Sequence, residues 1–163
     1  MLTTEFAGQL AIATCALVAE RGGPKIVYQA LFYPVTDTSK ESDTYKAFER
    51  NPGLESETLR WMIGAFLPSH DDRLGNLASP LLSSREQLKQ LPPTLIITAD
   101  VDPLRSEGEA FGARLLEAGV ETATFRASGT LHDFAMLNGL ANAASNASIE
   151  LAALKLKKAL CGA

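Results

Sequence analysis

The 163-residue sequence has very little cysteine. Cys15 and Cys161 stand far apart in helix-like segments, so neither a structural disulfide nor a cysteine metal pair is expected, and two reduced thiols in a cytoplasmic protein are the plain reading. There is no apolar run of about 18 residues and no basic segment leading into an apolar one, which argues against a membrane span and a signal peptide. Positive charge is not in surplus either. Fifteen basic residues face nineteen acidic ones, the net charge is −4, and the signs are mixed along the chain, the opposite of a nucleic-acid footprint. No glycine-rich phosphate loop occurs, so nucleotide binding has no support and no cofactor is expected. No repeat, low-complexity tract or charge block divides the chain. What remains is 46% apolar and 21% charged, the composition of one globular domain long enough to bury roughly 70% of its unfolded surface.

The pattern along the chain alternates between helix and strand. Ala7 to Arg21 is apolar almost all round and needs cover on most sides; Gly22-Gly23-Pro24 ends it. Ile26 to Tyr33 is a short run, apolar on both alternations, as in a strand buried on both faces. Pro34 to Pro52 is polar with weak helical potential. Leu59, Met62, Ile63 and Phe66 fall at helical spacing between Ser56 and Leu67; Trp61, Met62 and Phe66 are expected to pack against the sheet rather than to recognise substrate. Ser69 to Leu82 reads as irregular loop, and Ser84 with Gln87 as the cap of a short helix. Thr94–Ala99 is a second strand. Asp102-Pro103 opens a helix striped with Leu104, Phe111, Leu115 and Ala118, which Gly119 ends, and Thr122–Arg126 is a third strand. A last helix is expected to turn Ile149, Ala152, Ala153, Leu156 and Leu160 inward. This order implies an α/β fold with three parallel strands covered by helices on both faces.

Two places are positioned for chemistry. Asp100 and Asp102 follow the second strand, and His132 follows the third; in an open α/β sheet, ligands bind beyond the carboxyl ends of the strands. A carboxylate there can hold an imidazole tautomer and stabilise the imidazolium formed when the ring takes a proton. Each residue also has a plain structural reading, the aspartates as helix caps and His132 as a turn residue. His70-Asp71-Asp72 is a weak metal candidate, since three adjacent polar residues in a loop are usually just solvated; no metal site is expected.

Asp102-Pro103-Leu104-Arg105-Ser106-Glu107-Gly108, thirty residues ahead of His132-Asp133-Phe134, resembles the aspartate and histidine blocks of hormone-sensitive-lipase-like α/β-hydrolases. This is the α/β-hydrolase fold-3 family of microbial carboxylesterases. Tyr28 to Pro34, Leu77-Ala78-Ser79-Pro80-Leu81 and Leu91-Pro92-Pro93-Thr94 are similar to further blocks of the family. The resemblance implies hydrolysis of carboxylic esters through a serine acyl-enzyme, in the chain order serine, aspartate, histidine. It makes Asp102 the triad acid and His132 the general base, with Asp100 a neighbour, and it implies a small-molecule ester substrate.

Family members are roughly twice this length, so the resemblance identifies residues 7–163 as the C-terminal half of such a domain. No His-Gly-Gly-Gly motif occurs, and the one pair of glycines four apart, Gly108 and Gly112, flanks Ala110 rather than a serine. Aligned on Gln9-Leu10-Ala11, the serine position is held by Glu5, or by Phe6 with a one-residue gap; neither is a serine-type nucleophile. Glu5-Phe6 is also what a GAATTC site encodes, so residues 1–6 read as a vector-derived or altered start, with a natural short gene or a wrongly chosen start as the rival account. Two functional expectations follow: an inactive piece of an ester hydrolase bearing two of three triad members, or a non-catalytic module. Because the strand Ile26–Tyr33 would present an unguarded apolar edge, a homodimer or higher oligomer is expected.

Overall fold

The computed structural model describes residues 4–50 and 52–162, with side chains from Phe6 onward. Residues 1–3 and the Glu5 side chain, on which part of the expected altered start falls, lie outside the described residues. The elements run α1 (Thr4–Glu20), β1 (Gln29–Phe32), α2 (Asp43–Ala47), α3 (Ser56–Phe66), α4 (His70–Arg73), α5 (Arg85–Leu88), β2 (Thr94–Val101), α6 (Arg105–Glu117), β3 (Thr122–Leu131) and α7 (Ala143–Cys161). The strands form one sheet in the order β1-β2-β3, parallel throughout.

The central strand explains the layering. Leu95, Ile96 and Ile97 are all fully buried, but alternation sends them to opposite faces. Ile96 joins Ile12 and Cys15 of α1 and Phe111 and Leu115 of α6 in one cluster. Leu95, Ile97 and Ala99 join Ala127, Phe134 and Ala152 of α7 in another. Each leucine, isoleucine or phenylalanine among them contributes roughly 1.5–3 kcal/mol by leaving water, and each alanine less. α6 lies close on the sheet because Gly112 has no side chain; a Cβ there would collide with Thr124 Oγ1.

Local signals set several boundaries. Gly22 has φ +63°, and the Gly23 N–H bonds back to the Val18 carbonyl at 2.8 Å, a left-handed stop for α1. Ser84 and Gln87 form a full capping box for α5.

Elsewhere the structure corrects the expectation. The first strand is only Gln29–Phe32, because the Pro92-Pro93 pair that precedes β2 offers no N–H to residues 26–28; pairing begins where Gln29 N–H meets the Pro93 carbonyl. β2 and β3 run further than their apolar cores, to Val101 and Leu131, with a bulge in β3 opposite Ala99–Val101, where Gly129 takes φ +70°. The segment 69–82 contains α4 and a 3-10 turn at Pro80–Leu82. Met62 does pack with Tyr45, Leu54, Leu59 and Leu104, beside the sheet rather than on it, whereas Trp61 is 72% exposed. Of the stripe expected to face inward on α7 only Ala152 is buried, together with Ser145 and Ser148, while Ile149 is 45% and Leu160 73% exposed, and Ala153 and Leu156 are exposed as well. Helical spacing identifies an apolar stripe but not which neighbour meets it.

That stripe flanks an open groove of about 530 Å³ running beside β1, between Ala7, Gly8 and Ala11 of α1 and Ile149, Ala153 and Leu156 of α7. Its floor is the outer edge of β1, which pairs with no strand among the described residues. Since Gln29, Leu31 and Tyr33 direct their polar backbone groups to β2, Ala30 and Phe32 direct theirs outward.

Candidate active site

Asp102 and His132 each come directly after a strand, Asp102 after β2 and His132 after β3. The adjacent parallel register, Val101 opposite Leu131, therefore brings the two residues side by side at the carboxyl edge of the sheet. Asp102 Oδ2 and His132 Nδ1 are 2.8 Å apart, with both side chains buried, at 0% and 2% exposure. The other carboxylate oxygen accepts the Leu104 N–H at 2.9 Å, so the acid caps the turn into α6 and faces the imidazole at once. A carboxylate on Nδ1 keeps the proton there and turns Nε2 into the ring's acceptor; Asp133 Oδ1 lies 3.7 Å from Nε2.

The ring is also held from its face. Tyr33, directly after β1, takes φ +36°, a conformation that bulky residues rarely adopt. Its ring centroid stands 4.5 Å from that of His132, and its N–H donates to the Ile97 carbonyl at 2.7 Å. Phe134 packs edge-on against Tyr33 at 5.5 Å.

Asp100 is used differently. Its Oδ2 accepts the Gly129 N–H at 3.0 Å, and Arg105 Nη1 donates to its carbonyl at 2.5 Å. It thus ties the end of β2 to the β3 bulge, three residues before His132, while Arg105 lies over the Phe48 ring. His70, Asp71 and Asp72 form the exposed turn α4, and no group of three metal-ligating side chains assembles among the described residues. Phe6 is buried against Phe66, centroids 5.1 Å apart, within the cluster of Tyr45, Leu59 and Leu104.

Two residues around the pair carried no assigned role in the sequence. Tyr33 reads there as the end of a strand, and only its positive φ marks it. Glu107 reads as an acid in the first turn of a helix, normally a solvated position favoured by the dipole, yet it is buried.

A profile of the alpha/beta hydrolase fold matches residues 7–136. The chain belongs to that family. It is similar to an esterase of Fusarium pseudograminearum, 42% identical over 154 residues that make up 93% of this chain and 48% of that protein. It is also similar to an arylesterase of Saccharolobus solfataricus, 30% identical over 78% of this chain and 42% of that protein. Among solved structures, carboxyl esterase 2 from Tuber melanosporum superposes with a TM-score of 0.91 at 42% identity, covering 94% of this chain and 51% of that one. A thermostable esterase from Pseudomonas putida does so with a TM-score of 0.85 at 38% identity, covering 89% and 46%. This α/β-hydrolase chain therefore spans about half the length of the relatives it matches.

Proposed function

We propose that this chain carries the acid–base half of a serine carboxylesterase site acting on small-molecule esters, with His132 as general base and Asp102 as the carboxylate that orients it. The observation that supports this reading is the buried 2.8 Å contact between Asp102 Oδ2 and His132 Nδ1, at the edge of the sheet where α/β proteins bind ligands. In the reaction, Nε2 takes the proton of a serine hydroxyl as its oxygen attacks the ester carbonyl; the Asp102 carboxylate then stabilises the imidazolium, which returns the proton to the departing alkoxide. Water repeats the sequence on the acyl-enzyme. The serine of the Gly-x-Ser-x-Gly elbow and the glycine oxyanion motif are not among these 163 residues, and a single oxyanion donor is commonly worth about 10²–10³ in turnover. The 163-residue chain alone is therefore expected to hydrolyse short p-nitrophenyl esters no faster than a free imidazole and to take no fluorophosphonate label. Stoichiometric labelling would show that another serine has the role, and the inactive reading would fall.

The groove beside β1 favours a second reading, that the chain self-associates, most simply as a two-fold dimer. An unpaired strand edge in an apolar trough is a surface that monomers rarely leave open, and one symmetric contact covers both copies at once. Light scattering on a sizing column tests it, and a clean 17.4 kDa monomer at micromolar concentration would rule it out. No helix among the described residues is long and apolar enough to cross a membrane. Cys15 and Cys161 are both free thiols, which fits a cytoplasmic setting.

A further inference from the structure

Glu107 stands five residues after Asp102, in the first turn of α6, and is 2% exposed. Its Oε1 accepts two backbone N–H groups, from Thr36 at 2.7 Å and from Asp37 at 3.2 Å. Those two residues belong to the segment that leaves β1 just past Tyr33, whose ring packs on His132. One carboxyl therefore joins the segment carrying the ring-face contact to the turn carrying the acid.

A second tie runs parallel to it. The Thr44 hydroxyl donates to the Pro103 carbonyl at 2.5 Å and accepts the Ser106 N–H at 3.2 Å. The turn 102–107 is thus gripped on both sides by residues 36–44. Glu107 is also the most expensive member of the arrangement. Burial, the strongest influence, pushes its carboxyl up to about 8, the bonds from Thr36 and Asp37 pull it down, and the charges of Asp37 and Asp102 push it up again. The Tyr45 phenol of α2 is itself pushed up by burial and by the charge of Glu107. A surface acid would avoid all of this, and the two backbone bonds are what the buried one provides.

We propose that Glu107 is a positioning residue: its carboxyl locks the 36–37 backbone against the first turn of α6 and so fixes the Asp102 carboxylate on His132 Nδ1. The inference rests on the acid–imidazole reading of the site. It differs from a general stabilising role because the effect must appear at the imidazole. A neutral glutamine keeps an acceptor oxygen for both N–H groups; alanine keeps none. Above pH 8 the native carboxyl ionises and places a second negative charge beside Asp102, which favours the protonated ring.

The test is nitrogen and proton NMR of His132 in the full chain, assigned against His70→Asn, with circular dichroism as the check on folding. The native chain should show a low-field Nδ1 proton and a step in its ring shifts near pH 8. Glu107→Gln should keep the low-field proton and lose the step. Glu107→Ala should lose the proton signal while keeping its helix content. A folded Glu107→Ala with the native signal overturns the proposal, as does a Glu107→Gln chain that loses the signal or retains the step. Should the alanine variant not fold, the glutamine variant decides alone. A native chain with no Nδ1 signal at all removes the acid–imidazole reading, and this inference with it, a result distinct from any variant-specific failure.

Discussion

At the carboxyl end of the sheet, polar side chains are buried and tied to backbone: Asp102 to Leu104, Thr44 to Pro103, Glu107 to residues 36 and 37. Along the outer side of β1 the reverse holds, with apolar side chains such as Ile149 and Leu156 lying in the open. The first region has the composition of a surface and the burial of a core; the second has the composition of a core and the exposure of a surface. Both depart from the rule that apolar groups go inside, for different reasons. Buried polar groups persist where hydrogen bonds offset their desolvation; here Asp102, Thr44 and Glu107 Oε1 are bonded, while Glu107 Oε2 and the Tyr45 hydroxyl are buried with no hydrogen-bond partner. An exposed apolar groove costs the folded chain little in stability, since it loses only what burial would have gained, and the penalty appears as association instead.

The largest expected difference lies in removing one polar partner. Asp102→Ala leaves the Leu104 N–H and the His132 imidazole buried without their acceptor, and should lower unfolding free energy by about 3 kcal/mol in urea titration. A loss under about 1 kcal/mol would mean that water reaches the pair, and the contrast between the two regions would break.

A smaller effect is expected from pH. Glu107 has a folded pKa of about 8 against an ordinary 4.5. Below pH 4.5 it is protonated in both states and destabilises neither. As pH rises from about 4.5 to about 8, the unfolded chain releases the proton while the folded chain keeps it, so stability falls through this window and levels off above it. Glu107→Gln should flatten that slope in urea midpoints measured at successive pH values; an unchanged slope would assign it to other groups.

The smallest change in stability is expected at the groove. Ile149→Lys with Leu156→Lys should shift unfolding free energy by no more than about 0.5 kcal/mol, while any self-association seen by light scattering is lost. Val27 and Leu31 serve less well for this test: Val27 precedes β1, and Leu31 is buried beneath α1 and α6. A double variant that unfolds would show that the groove is already packed in the monomer.

The β2–α6–β3 unit was legible in the sequence because apolar runs, a proline-started helix and a terminating glycine agree there. Asp102 and His132 were legible by their place after two strands, and their meeting follows from parallel register. The rest depended on partners that pattern does not reveal. The length of β1 is set by two prolines sixty residues away, and the β3 bulge by the conformation of Gly129. Which stripe of α7 is buried depends on what lies opposite. Nothing local marks Glu107 as buried, because its two N–H donors come from a loop 70 and 71 residues upstream.

The same topology bears on the order in which the chain organises itself. β2, α6 and β3 are consecutive in sequence and share the most intimate packing of the sheet, so their contacts close short loops. β1 joins β2 only across a separation of 65 residues, as between Gln29 and Thr94, a closure that carries a larger entropic barrier. The folding transition state is therefore expected to be polarised toward residues 94–131, with β1 and α1 docking afterwards. Truncations in α6 should then slow refolding, whereas truncations in α1 should chiefly hasten unfolding. The edge strand β1 would be both the last to arrive and the first to leave.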